Sequence, residues 1–159
     1  MRDAAYEALP KDLRADYHAR FADWIDGASR RGRNDLGEIV GWHPEQAHRY
    51  FVELGPFDER GQALGRRAAD QLSVAGSMAS ERGDVSAGGS LRFRALQLMT
   101  TGDERRPLIL GELGEALVRS GRFDEADEDL TQAIALSELA GDEMLRMITF
   151  MSPPRGSTR

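Results

Sequence analysis

Two pairs of glycines recur 38 residues apart in this chain, Gly76 with Gly114 and Gly83 with Gly121. In each copy the first glycine lies inside a run of apolar residues at helical spacing, and the second ends that run. Each unit therefore reads as a long helix, a glycine turn and a second helix. A fixed period of this length built from helix pairs is the signature of a helical solenoid, whose units bury their apolar faces against one another. The expected fold is all-α, an α-solenoid of antiparallel helix pairs preceded by N-terminal helices.

Composition agrees. Ala, Leu, Arg and Glu dominate, and these are strong helix formers. Hydrophobic residues make up 40% and charged residues 30%, a balance that supports a packed core and argues against disorder. Behind Pro10, which suits a first helical turn, Leu13, Tyr17, Phe21, Trp24 and Ile25 recur at helical spacing and are expected to be buried. The run Arg30, Arg31 and Arg33 sits among Gly and Ser as a loop would. Ile39, Val40, His43, Ala47, Tyr50, Phe51 and Leu54 form a second stripe, which Pro44 should kink or restart. Gly55–Pro56 stops it, and Asp58 reads as the N-cap of a helix reaching about Glu81, with Leu64, Ala68, Leu72, Ala75 and Ala79 inward. A shorter helix carries Leu91, Ala95 and Leu98. Two more carry Leu110, Leu113, Leu117 and Val118, then Phe123, Ala126, Leu130, Ala133 and Ile134. The apolar segment Met144–Met151 and a polar tail follow. Three regions result: N-terminal helices over 1–56, two helix pairs over 57–143, and an apolar end over 144–159.

The segment from Leu108 to Glu138 resembles the tetratricopeptide repeat. Leu110, Leu113, Gly114 and Leu117 fit the pattern's first helix, and Ala126, Leu130 and Ala133 fit its second. The small residues let paired helices approach closely. The proline near the end of the family's repeat is missing, and Glu138 stands there. In the other copy Leu72, Ala75, Gly76, Ala79 and Ala95 fit, whereas Gly88 and Arg92 are poor at their positions. The N-terminal part resembles the stretch that follows the ATPase domain in large bacterial signalling proteins, some with an adenylate cyclase or transcription-regulator domain. The matching pieces run from Arg2 to Pro10, from Arg14 through His18 and Ala22 to Trp24, and from His43 to Ala47. The resemblance implies the downstream arm of such an ATPase or cyclase, detached from it, or a remnant without separate function.

Several chemistries lack their residues. With no cysteine there is neither a disulfide nor a thiolate metal site, which fits a cytoplasmic protein. Lys11 is the only lysine and follows no glycine-rich loop, so a Walker A site is excluded. His43 and His48 would point about 140° apart on a helix, the wrong spacing for a shared metal. His43 is expected instead to be partly buried against Trp42 and Tyr50. Glu112 and Glu115, one turn apart, are expected to be solvated. Arg82–Gly83–Asp84 reads as a repeat turn, and no nucleophile elbow is present. A net charge of −6 speaks against a nucleic-acid partner, and no apolar run is long enough to span a membrane. No catalytic residue, cofactor or metal is expected. From Phe123 to Glu143 there are eight acidic residues and no lysine or arginine, a solvated face or one meeting a basic partner.

What remains is binding. In tetratricopeptide arrays the first helix of each repeat lines a concave face. By that resemblance Leu108, Gly111, Glu115, Val118 and Arg119 would meet a protein or peptide partner, and Asp70, Ser73, Ser77 and Glu81 would do so in the weaker copy. The partner could be an ATPase or cyclase domain. The apolar C-terminal segment could pack on the last repeat or join two copies into a homodimer.

Overall fold

The computed structural model describes residues 6–29, 37–55 and 59–141. Among these residues the chain is all-α, with six helices and no strand: α1 (Lys11–Ser29), α2 (Gly37–Leu54), α3 (Glu59–Glu81), α4 (Val85–Leu98), α5 (Arg106–Arg119) and α6 (Phe123–Ala140). None of the described helices is long and apolar enough to cross a membrane. The chain divides into two compact units, residues 1–74 and 75–159, with the division inside α3. The Asp58 cap, the Arg30–Arg33 run and the apolar segment Met144–Met151 lie outside the described residues.

In the first unit α1 packs on α2 through small side chains. Ala15, Ala19 and Ala22 are buried along one face of α1, and Ala19 meets Ala47 of α2 and Leu64 of α3. This corrects the expected burial of α1. Of the stripe read from the sequence only Ile25 is buried, while Leu13, Tyr17, Phe21 and Trp24 remain 40–56% exposed. Two adjacent faces of the helix both have helical spacing. The one facing inward is the alanine face, because helices this close leave no room for rings between them.

Pro44 neither ends nor restarts its helix. It is fully buried within the continuous α2. Nearby, a Cβ on Gly41 would lie 2.8 Å from the Leu72 side chain, so this glycine allows α2 to run close against α3. The stripe Leu64, Ala68, Leu72, Ala75 and Ala79 of α3 is buried as expected.

In the second unit the glycine recurrence becomes a recurrence of hydrogen bonds. Gly83 and Gly121 adopt positive φ of 87° and 77°, the left-handed conformation that favours glycine after a helix. The Gly83 amide donates to the Ser80 carbonyl and the Asp84 amide to Ala79, both at 2.9 Å. One period later Gly121 donates to Val118 at 3.0 Å and Arg122 to Leu117 at 2.9 Å. The Asp84 carboxylate then caps α4 by accepting from the Ala87 amide at 3.0 Å. Arg82–Gly83–Asp84 is thus a turn and cap. The inward residues also recur: Ala75, Ala79 and Ala95 are buried, as are their counterparts one period later, Leu113, Leu117 and Ala133.

Candidate functional site

Of the nine expected contact residues, Asp70 and Ser73 belong to the first unit and the other seven to the second. Asp70 and Glu81 are exposed. The Ser73 hydroxyl donates to the Ala69 carbonyl at 2.7 Å, and Ser77 accepts from Arg92 at 3.4 Å. The five residues on α5 do come together. Leu108, Glu115, Val118 and Arg119 are exposed and Gly111 half-buried, and the helical period sets all five on the face opposite buried Leu113 and Leu117.

Arg92 explains why the first repeat copy looks poor. One period before Leu130, it is buried to 5% exposure. Its guanidinium bonds Glu112 at 2.8 Å, the Gly76 carbonyl at 3.1 Å, and the Ser80 and Ser77 hydroxyls at 2.8 and 3.4 Å. Gly88 makes room for it, since a Cβ there would stand 2.2 Å from Ser80 Oγ and 3.0 Å from Arg92 Nη1. Two misfits against the repeat pattern are therefore one local solution: a buried cation received by a carboxylate, two hydroxyls and a carbonyl, with a glycine beside it. Glu112, expected to be solvated, is its ion-pair partner.

A second feature of this unit is an open cleft of about 480 Å³ between α4, α5 and the start of α6. Its floor comes from Gly89, Leu113, Ala116 and Leu117, and its rim includes Phe93, Arg122, Glu125, Glu128 and Asp129. None of the nine expected contact residues lines it. Burial, with Glu128 and Glu125 beside it, pushes the Asp129 carboxyl above its ordinary range.

The first unit holds a chain of polar aromatic groups. His43 and His18 meet through their Nδ1 atoms at 2.9 Å. His18 Nε2 lies 2.8 Å from the Tyr6 hydroxyl, which lies 3.1 Å from the Tyr50 hydroxyl. Burial raises Tyr6 to about 12, while Tyr50 is lowered, chiefly by its hydrogen bond from Tyr6. With Tyr6 donating to Tyr50, one direction satisfies the chain: His43 donates to His18, His18 to Tyr6, and Tyr6 to Tyr50. Arg14 stands over the rings of Tyr6 and Tyr50 at 5.1 and 5.7 Å, and Arg49 over Tyr50 at 5.4 Å. The half-exposed rings cover the imidazoles, with Phe21 4.2 Å from His43 and Trp42 5.1 Å from His18.

Burial lowers both imidazoles, and the neighbouring His43 and Arg49 help bring His18 to about 4. Both rings are therefore neutral near pH 7, as the hydrogen-bond chain requires. His43 packs on Trp42 as expected, but its polar partner is His18, and it is His18 that stacks on Tyr50. His48 points elsewhere and donates to the Gly61 carbonyl at 2.8 Å. Among the described residues no three His, Asp or Glu side chains are placed to hold a metal ion. Tyr6, Arg14, His18 and His43 come from three separate stretches of the sequence, and spacing within any one stretch could not reveal their convergence.

No family model, no curated protein and no solved structure matches this chain.

Proposed function

We propose that this chain is a non-catalytic protein-interaction module built on tetratricopeptide-like helix pairs. The observation that carries the reading is the recurrence, 38 residues apart, of the same two turn hydrogen bonds around a left-handed glycine. With it recur close-packed glycines: a Cβ on Gly76 would lie 3.1 Å from the Gly88 carbonyl oxygen, and one on Gly114 would lie 2.6 Å from Leu130. Such units bury one face on their neighbours and leave another for a ligand. The exposed residues of α5, with Glu115 and Arg119 of opposite charge at its centre and end, form the ligand face in this reading. The test is a selection of peptides from a displayed library against the whole chain. Peptides so selected should lose about tenfold or more in affinity when Glu115→Ala and Arg119→Ala are combined. A selection in which every recovered peptide binds the double variant as well as the parent would remove the assignment.

A second reading is favoured by the network of the first unit, in which the pieces resembling the post-ATPase stretch of signalling proteins meet at Tyr6, His18 and His43. In this reading the module serves as the regulatory arm of an ATPase, an adenylate cyclase or an ATP-dependent transcription regulator. The Tyr6–His18–His43 network holds the first unit together and takes no part in chemistry. A nucleotide-hydrolysing domain of that class, mixed with the chain, should change its turnover. Unchanged turnover together with no association in sedimentation would count against this reading.

A further inference from the structure

We propose that the cleft between α4, α5 and α6 is a docking groove for a basic amphipathic peptide segment of a partner protein, distinct from the exposed face of α5. The floor is apolar and open. Gly89 is part of that floor, and a Cβ there would sit 3.5 Å from Ala116 Cβ and 3.8 Å from Leu113 Cδ1, ordinary contact, so this lining position has room for a Cβ. On one side Phe93 stands 56% exposed. On the other, α6 supplies Glu125, Glu128 and Asp129 and contains no lysine or arginine.

The charge on this rim is unbalanced. Arg122 is the one cation among the lining residues, and Glu125 holds it through two hydrogen bonds of 2.7 and 2.5 Å. Among the lining residues no cation remains for Glu128 and Asp129. Asp129 is half-buried, and its raised carboxyl reflects burial together with repulsion from Glu128 and Glu125. The charge of a ligand cation would offset both by favouring the ionised carboxylate. The juxtaposition selects the ligand's chemistry. Lysine and arginine carry an apolar stem and a charged head. A stem lying over Ala116 and Phe93 brings its head to the carboxylates, and apolar residues one turn away cover Leu113 and Leu117. A simple polyamine has the charge but cannot use Phe93 and the floor together. An acidic or neutral segment would leave the rim uncompensated.

This proposal deepens the interaction-module reading but uses a different face, so each can fail alone. The probe is a synthetic Lys/Leu peptide of about 18 residues, long enough to form an amphipathic helix, titrated into the isotope-labelled whole chain. Amide shifts should concentrate at Gly89, Phe93, Ala116 and Asp129. Affinity should fall about tenfold or more in Glu128→Gln/Asp129→Asn and also in Gly89→Leu, while Glu115→Ala/Arg119→Ala binds like the parent. The matching Glu/Leu peptide should not bind. Circular dichroism checks that each variant is folded, and Gly89→Leu tests the groove without altering any charge. Absence of Lys/Leu binding by the parent chain would overturn the proposal. So would undiminished binding by folded Gly89→Leu, equal binding of the Glu/Leu peptide, or complete displacement by spermidine at matched charge concentration.

Discussion

Gly114 has no room for a methyl group. The Cβ of an alanine would come within 2.6 and 2.8 Å of the Leu130 side chain, which is itself 1% exposed and cannot swing into solvent. Alanine would gain about 1 kcal/mol of helix propensity, but overpacking a tight core costs about 1–3 kcal/mol. Gly114→Ala should therefore destabilise the second unit by up to about 2 kcal/mol, measured by urea denaturation. A stabilised variant would mean that α5 and α6 do not pack this closely. The glycine's importance was legible because a helix-interior glycine repeated one period away. Arg92 was legible only as a misfit. A sequence shows that a cation breaks an apolar pattern, but not that Ser77, Ser80, Gly76 and Glu112 converge to receive it.

At the scale of the element, the two helix pairs solve one packing problem in two ways. One uses Gly88 and Arg92 with Ser80 beside them; the other uses Ala126 and Leu130, with the exposed Val118 at the position equivalent to Ser80. Gly88→Ala alone places a methyl group against Ser80 Oγ and Arg92 Nη1, and should cost about 2 kcal/mol or more by breaking a satisfied buried cation. The triple variant Ser80→Val, Gly88→Ala, Arg92→Leu installs the second solution in the first pair. Apolar replacements of buried ion pairs are often neutral or better, and Glu112, about a third exposed, can rehydrate. The triple variant should thus be more stable than Gly88→Ala alone, a non-additivity readable by thermal denaturation. A triple variant as unstable as the sum of its parts would show that the positions are not equivalent. On α1, pattern reasoning chose the wrong one of two adjacent stripes. Periodicity identifies a helix, but side-chain size decides which stripe faces a close neighbour. The alanines could have signalled the tight α1–α2 seam, while the rings could be placed only with His18 and His43 beneath them.

At the scale of the whole molecule, the two units should respond to acid in opposite directions. All the histidines of the chain, His18, His43 and His48, lie in the first unit. In the unfolded chain an imidazole takes up its proton near pH 6.5, whereas His18 in the fold does so only near 4. Between those values the unfolded state binds more protons, so the stability of the first unit falls as pH falls through the window. For His18 alone the loss approaches about 3 kcal/mol by pH 4, and His43 adds in the same direction. Protonation of His18 also breaks its bond with His43, because a charged imidazole has no lone pair left to accept from its neighbour. In the second unit Asp129 is shifted upward, so the fold there holds its proton more tightly than the unfolded chain, and this contribution to stability grows as pH falls. The lowered Glu125 acts the other way, but through a fully exposed pair with Arg122, an arrangement of little weight. Amide hydrogen exchange at pH 7 and pH 4.5 should therefore show α1 and α2 losing protection on acidification while α5 and α6 retain theirs. Replacing His18 by glutamine removes the titrating group and should flatten the dependence for α1 and α2 whatever it does to their baseline stability. Equal loss of protection in both units, or an unchanged slope in His18→Gln, would contradict the assignment of acid sensitivity to the buried imidazole pair.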